Sequence, residues 1–154
     1  MNFERLPFAT IDHLRPITQG HQEVIFSPGK TVGQVVAIAE RLEAAGGSFL
    51  ATRVDPAQSA ALAARFPRAE VNELGRIVYM APDPEPAPTG RGTVLVCTAG
   101  TSDLAVAEDA AVTSRALKNR VERLTDVGVA GIHRLLTQTD VLRAASVIIV
   151  VGGM

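Results

Sequence analysis

Two polar stretches in the last third of the sequence carry residue types that could bind an anion and move a proton. One is Ala-Gly-Thr-Ser-Asp at 99–103, and the other is the glycine-rich run 126–134, which ends in His133 and Arg134. Glycine lets the backbone approach a ligand closely, and a helix that starts beside such a loop offers free N–H groups to an anion. Imidazole exchanges protons near neutral pH, and guanidinium binds phosphate through parallel hydrogen bonds. The two stretches therefore predict an anion site with an acid–base group.

Three apolar segments must hold these stretches in place. We read 93–98 (TVLVCT) as a buried parallel strand, 120–124 as a second strand and 146–151 (SVIIVV) as a third, buried one. The carboxyl ends of parallel strands meet at one edge of the sheet, where ligands of open α/β sheets bind. The three loops that follow the strands are therefore expected to share one crevice. They cover residues 99–103, 126–133 and 152–154.

Helices are predicted between these strands. The first covers 104–117, with Ser102 or Asp103 as its cap, and the second starts near Gly131 and runs through Leu142. This alternation is typical of the β-α-β-α-β half of a doubly wound, flavodoxin-like parallel sheet. We therefore predict an α/β fold that contains a partial three-layer sheet.

The first 80 residues predict a small α+β module. One helix begins after Thr31 and ends at the glycine pair 46–47, and another begins at Asp55 and ends near Arg65. The stretch 1–20 is expected to be irregular. Short strands are predicted at 23–26, 48–54, 71–74 and 76–80.

A proline-rich stretch at 81–92, APDPEPAPTGRG, separates the two regions. Closely spaced prolines favour an extended backbone, so we interpret it as a stiff linker. A ligand for SH3 or WW domains is the other interpretation, but the position between two patterned regions favours the linker. The predicted organisation is a module at 1–80, a linker at 81–92 and part of an α/β domain at 93–154.

Composition excludes several classes of protein. The chain is 47% hydrophobic and 20% charged, with a net charge of −1, so it can bury a core and has no general attraction for nucleic acid or an anionic membrane. No apolar run approaches the ~20 residues of a membrane span, and the first residues do not read as a secretory signal. A single cysteine, Cys97, excludes an internal disulfide and makes a cytoplasmic location the default expectation. His13 and His21 lack partners at ligand spacing, so no metal site is predicted.

Several motifs together resemble the LarB family of nickel-pincer cofactor biosynthesis proteins (pyridinium-3,5-biscarboxylic acid mononucleotide synthases). Three lie in a domain similar to aminoimidazole ribonucleotide carboxylase/mutase: TAGTSD at 98–103, DVGVAGIHRL at 126–135 and VIIVVGGM at 147–154. The stretch 12–31 and the strand LATRV resemble the same family's first domain. Leu14 and Thr18 depart from the pattern, since His and Arg are expected there.

The resemblance implies an enzyme that acts on nicotinic acid adenine dinucleotide. Such enzymes carboxylate the pyridinium ring with CO2 or bicarbonate and hydrolyse the phosphoanhydride, releasing AMP, without a tightly bound cofactor. By position, His133 and Asp103 would be catalytic, and the related folds form homo-oligomers. Substrate and phosphate would be bound by Gly100, Thr101, Ser102, Asp103, Gly131 and Arg134.

The family's pattern continues past the last residue of this sequence. The Glu and Cys that the resemblance implies for catalysis would lie beyond Met154, so the activity of the 154 residues is expected to be impaired. Cys97 cannot replace that cysteine, because a thiol inside an apolar strand stays protonated. A three-stranded sheet would also leave an open edge at 93–98 or 146–151, depending on the strand order.

Three other functions stay open at this point. An aminoimidazole ribonucleotide carboxylase/mutase is a second enzyme hypothesis, although that simpler enzyme does not need the first module. A nucleotide-binding protein without catalysis is another class. The third is a structural role in an oligomer, formed through the open sheet edge.

Overall fold

The computed structural model describes residues 3–153, so Met154 of the predicted third loop lies outside the described residues. The chain divides between Pro86 and Ala87, within the proline-rich stretch, into two compact units that we call unit 1 and unit 2. Both mix helices with strands, and unit 2 holds a three-stranded parallel sheet, which confirms the predicted α/β class. Among residues 3–153 no helix has the length and apolar character needed to cross a membrane.

Unit 1 combines a hairpin with a four-stranded sheet and two longer helices. The sheet order is β3-β4-β6-β5, with β3 and β4 parallel and the other neighbours antiparallel. The elements in chain order are β1 Phe3–Leu6, β2 Ala9–Asp12, α1 Arg15–Thr18, β3 Val24–Phe26, α2 Val32–Gly46, β4 Phe49–Thr52, α3 Pro56–Arg65, β5 Glu70–Asn72 and β6 Ile77–Met80.

The prediction that residues 1–20 are irregular was wrong for the part that the structure describes. Strands β1 and β2 pair antiparallel around a turn at Pro7-Phe8, and α1 adds one helical turn. Ile11 of β2 is 1% exposed and belongs to the core of unit 1. A four-residue strand is too short for alternating apolar and polar residues to be recognised in the sequence. The pairing of β1 with β2 and the packing of Ile11 in the core, which involve residues distant in sequence, stabilise these strands.

Both long helices of unit 1 begin where the cap residues predict. Thr31 and Asp55 each accept a hydrogen bond from the backbone N–H three residues later. The side-chain oxygens of Gln34 and Gln58 in turn accept one from the backbone N–H of the cap residue. These two capping boxes satisfy N–H groups that a helix start otherwise leaves free. Helix α2 ends at Gly47 in the left-handed conformation, with φ of 67°.

The core of unit 1 lies between its sheet and its two long helices. Phe49 and Leu62 are both fully buried there, and the rings of Phe49 and Phe66 pack with centroids 4.8 Å apart. Ile25, Val35, Ile38 and Val78 complete the same apolar cluster. Unit 1 therefore closes its own core, which is the dominant source of stability for a unit of this size.

Unit 2 is a parallel sheet in the order β8-β7-β9. The strands are β7 Thr93–Thr98, β8 Arg120–Leu124 and β9 Val147–Val151. A 3₁₀ turn at Thr101–Asp103 leads into α4 Leu104–Ala116, and a second at Val129–Gly131 leads into α5 Ile132–Leu136 and then α6 Thr139–Ala144. The strand order matches one end of a flavodoxin-like sheet.

Two predictions for unit 2 need correction. The second helix is two short helices, because the chain turns at 137–138 between α5 and α6. The last strand is not buried: Val150 is 73% and Ile148 43% exposed. The reason is the strand order, which puts β7 in the centre and β9 at an edge. Of the two open edges that the sequence allowed, the structure has the one at 146–151.

Candidate active site

The loops at the carboxyl ends of the three parallel strands bind one another through their backbones. The N–H of Ala99 donates to Val151 O at 3.0 Å, joining the first loop to the last residue of β9, after which the third loop begins. The N–H of Val127 donates to Thr98 O at 3.0 Å and that of Gly128 to Ala99 O at 2.9 Å, joining the first and second loops. The crevice expected from strand direction is therefore a single connected edge of unit 2.

Asp103 fastens the first and third loops together. Its carboxylate is 8% exposed, and its two oxygens accept hydrogen bonds from Gly100 N–H and Gly153 N–H, each at 2.9 Å. Two charge-assisted bonds to backbone groups hold this buried carboxylate in one orientation. Asp103 is thus an internal clasp of the crevice, and both of its oxygens are occupied.

The prediction that Ser102 or Asp103 caps the following helix is right for the position of Asp103, which directly precedes α4, but not for a side-chain hydrogen bond. Neither side chain bonds a backbone N–H at the start of α4, and the chain enters that helix through the 3₁₀ turn instead. The Asp103 carboxylate instead accepts from Gly100 N–H within the 3₁₀ turn and from a second N–H donor, Gly153 of the third loop. That donor is 50 residues away in sequence, so local cap rules could not include it.

Gly128 lies where the second loop passes closest to the first. A β-carbon at this position would stand 2.7 Å from the carbonyl oxygen of Ala99, which real β-carbons do not approach. The hydrogen bond from Gly128 N–H to the same oxygen explains the contact. The two loops can therefore approach this closely only because residue 128 has no side chain.

Arg134 forms an ion pair inside the second loop. Its Nη1 lies 2.6 Å from Oδ2 of Asp126, and the two side chains are 38% and 58% exposed. A β-carbon on Gly131 would stand 2.6 Å from Nε of Arg134. The guanidinium therefore lies against Gly131 with one end on a carboxylate.

Three further predicted site residues present free polar groups. Thr101, Ser102 and His133 are all exposed. Within residues 3–153 none of their side chains has a hydrogen-bond or ion-pair partner. Two hydroxyls and an imidazole on the first and second loops are thus available to a ligand without breaking any existing bond.

Comparison with known proteins places this chain in a family. Residues 3–82 match the family model described as the LarB/PurE-like N-terminal domain, which is more than half of the chain. The chain belongs to the LarB/PurE-like family. This is a family of the carboxylase and mutase type. The matched residues lie in unit 1, whereas the crevice lies in unit 2.

One similar protein extends the comparison over both units. An uncharacterized protein of Methanocaldococcus jannaschii is 29% identical over an alignment of 152 positions that covers 94% of this chain and 59% of that protein. The chain thus spans less than two thirds of the length of this relative. Any activity that needs the full length of such a protein is therefore only proposed for these 154 residues.

The histidines of the family's first domain are bound to neighbouring groups. Nε2 of His13 lies 3.2 Å from Glu4 Oε2, and Nδ1 of His21 lies 2.8 Å from Gln22 O. Leu14 and Thr18, the departures from the LarB pattern, lie at α1, where Thr18 N–H donates to Leu14 O. In the described part of the chain no group of three His, Cys, Asp or Glu side chains could hold a metal ion.

Cys97 has the environment that the sequence predicted. It is 4% exposed in the central strand, and burial raises the pKa of its thiol above the ordinary value. The neutral thiol is neither a good nucleophile nor a metal ligand.

The sequence did not identify Asp126 or Gly153 as individual site residues. Both were only members of predicted loops, yet Asp126 pairs with Arg134 and Gly153 binds Asp103. A charge pattern could have suggested the first, since Asp126 and Arg134 bracket a glycine-rich turn. No local signal marks Gly153, because its partner lies on another strand's loop.

Proposed function

We propose that unit 2 carries the substrate crevice of an enzyme of nickel-pincer cofactor biosynthesis that acts on nicotinic acid adenine dinucleotide. The reaction is carboxylation of the pyridinium ring by CO2 or bicarbonate and hydrolysis of the phosphoanhydride, releasing AMP. The observation that carries the proposal is the meeting of three loops at one sheet edge, with a guanidinium and an exposed imidazole on the second loop. Membership of the LarB/PurE-like family supports the same class of reaction.

Each residue has a defined part in this proposal. Thr101 and Ser102 donate hydroxyl hydrogen bonds to ribose or phosphate oxygens, and Arg134 offsets the phosphate charge. His133 accepts the proton that leaves the ring carbon when the carboxyl group is added there, since its imidazole is exposed and no described residue pairs with it. Asp103 acts on the substrate indirectly, by fixing the loop that carries Ser102.

The hydrolysis step needs a water molecule as its second reactant. The water oxygen forms a bond to phosphorus, the bridging P–O bond breaks, and AMP leaves with the bridging oxygen. A cation beside the phosphate lowers the barrier by stabilising the charge that develops on its oxygens. Arg134 is the crevice residue whose positive charge can stabilise those oxygens.

We further propose that the enzyme acts as a homo-oligomer.

Calorimetric titration with nicotinic acid adenine dinucleotide tests the proposal on the 154-residue chain. We expect saturable binding that Arg134→Gln weakens about tenfold or more, the usual effect of losing a hydrogen bond to a charged group. Arg143→Gln is the control, because Arg143 is an exposed arginine of the same unit on α6. Equal weakening by both variants, or tighter binding of aminoimidazole ribonucleotide, would contradict the proposed substrate.

A second assay separates catalysis from binding alone. The chain is incubated with the dinucleotide and 13C-bicarbonate, and AMP and a labelled ring carboxylate are sought by mass spectrometry. Production of both supports an active chain, and we expect His133→Asn to lower the rate about a hundredfold. Binding without either product supports the nucleotide-binding function for these 154 residues.

A further inference from the structure

Arg134 is connected to the central strand of unit 2 through Asp126. Thr98, at the carboxyl end of β7, is 1% exposed, and its Oγ1 accepts a hydrogen bond from the N–H of Asp126 at 3.1 Å. The Asp126 carboxylate then binds Nη1 of Arg134 at 2.6 Å. A continuous series of contacts thus runs from the buried sheet edge to the guanidinium.

The backbone of the second loop is shaped for this series of contacts. Asp126 has a left-handed backbone, with φ of 58°, which few residues other than glycine adopt and which Asp tolerates. Gly131 supplies the complementary surface, because its missing β-carbon would stand 2.6 Å from Nε and 3.0 Å from Nη2 of Arg134. A β-carbon at 131 would therefore force the guanidinium out of its present position.

The contacts leave part of the guanidinium unused. Nη1 binds Asp126, and the Nε side lies against Gly131, but Nη2 has no acceptor within residues 3–153. The side chain is 38% exposed, so an oxyanion can reach it from solvent. A guanidinium held at one end offers its remaining donors in a fixed direction, which lowers the entropy cost of binding.

We propose that Asp126 is a positioning residue that orients Arg134 toward an oxyanion of the ligand, a phosphate group in the substrate named above. The identity of that ligand rests on the proposed function, whereas the orientation of Arg134 by Asp126 rests on the contacts described above. Asp126 touches no substrate atom. Its contribution is realised only through Arg134, and this distinguishes it from a residue that binds the ligand or merely stabilises the loop.

The test is a double-mutant cycle read by titration with two probes, inorganic pyrophosphate and nicotinic acid adenine dinucleotide. Asp126→Asn keeps the size of the side chain and removes its charge. We expect it to weaken binding of both probes about three- to fivefold, as for a half-exposed ion pair. The same substitution in an Arg134→Gln background should change nothing, because the residue it orients is gone.

The control breaks another ion pair of the same unit, one that joins α4 to β8 and does not include Asp126 or Arg134. Glu108→Gln removes the partner of Arg123, which binds it from β8. We expect no effect on either probe. Thr98→Val, which removes the acceptor of the Asp126 N–H, should weaken binding in the same direction as Asp126→Asn but less.

Three results would overturn the inference. Asp126→Asn could tighten binding, which would make the carboxylate a competitor of the ligand. It could weaken binding equally with and without Arg134, which would make its role structural. The wild-type chain could also bind neither probe. Binding of pyrophosphate with the expected coupling, but not of the dinucleotide, would uphold the positioning role while rejecting the proposed substrate.

The nitrogen NMR signals of the arginine side chains give a readout that does not depend on affinity. In the free chain the Nε–H of Arg134 should give a resolved signal that shifts in Asp126→Asn, while the signal of Arg143 stays in place. An unchanged Arg134 signal would show that the carboxylate does not orient the guanidinium.

Discussion

Units 1 and 2 have similar local structure at the carboxyl ends of their parallel strands, but the polar groups there have different hydrogen-bond partners. Each has neighbouring parallel strands whose carboxyl ends lead through short loops toward helices. In unit 1 the amide of Gln58, 3% exposed, donates to Ser27 O and Lys30 O, and two capping boxes occupy the helix starts. In unit 2, as far as the structure describes it, the corresponding edge leaves exposed hydroxyls and an imidazole unpaired. A strand edge becomes a candidate site where the fold does not use its polar groups.

The arginines of the two edges show the same contrast. In unit 1 Arg76 donates from Nε to Val54 O at 3.0 Å and from Nη2 to Arg53 O at 3.2 Å, so its guanidinium is used by the backbone. In unit 2 the one acceptor that Arg134 binds among residues 3–153 is the carboxylate of Asp126. Arg76 therefore serves the fold, and Arg134 keeps donors for a ligand.

The largest effect should come from the closed core of unit 1. Leu62→Ala removes a side chain with no exposed surface, and we expect a loss of about 3 kcal/mol, since the packed surroundings cannot collapse into the space. Urea unfolding with amide hydrogen exchange of β4 and β6 measures it. Ile17→Ala is the control at 82% exposure, and a loss as small as the control's would show that unit 1 is loosely packed.

The clasp of the crevice should give the next largest effect. Asp103→Asn replaces one carboxylate oxygen with an amide nitrogen that cannot accept, so one of the two charge-assisted hydrogen bonds is lost, at a cost of about 2 kcal/mol. Hydrogen exchange of Gly100 and Gly153 should rise together. Asp109→Asn on α4, the helix that follows Asp103, is the control, because its bond from Thr113 survives the change. The clasp is refuted if both variants are equally stable.

The approach of the second loop to the first should give a smaller effect. Gly128→Ala places a β-carbon against Ala99 O and should cost about 1.5 kcal/mol, within the range for overpacking. Gly152→Ala is the matched control, since its β-carbon would meet only Ala99 Cβ at 3.5 Å, an ordinary contact. Thermal unfolding of the pair measures the difference, and similar melting temperatures would mean that the loops separate freely.

The sequence predicted those features that depend on neighbouring residues. The strands 93–98 and 120–124 have the bounds that their patterns indicated, and Thr31 and Asp55 begin helices as cap residues do. Side-chain period and cap chemistry act within a few residues, so one sequence contains enough information to place them.

Features that depend on distant partners could not be predicted in this way. The Asp103 carboxylate was predicted as a cap or a ligand group, yet Gly153, on the loop after β9, decides its orientation. Likewise 146–151 has the composition of a buried strand, and only the strand order shows that it lies at an edge. The exposed Thr101, Ser102 and His133 could be named from residue type, but their lack of partners is a property of the fold.

The smallest effect should come from the open face of β9 in unit 2. Val150 is 73% exposed, so Val150→Ala removes little buried area and should change the free energy of unfolding by less than about 0.5 kcal/mol. Leu95→Ala is the matched control on the neighbouring strand β7, where the side chain is 1% exposed, with an expected loss of about 3 kcal/mol. Both are measured by urea unfolding at low and high protein concentration. A loss near that of Leu95→Ala, growing with concentration, would mean that β9 is covered by a second copy of the chain in solution, because only burial gives a valine methyl group that energetic weight.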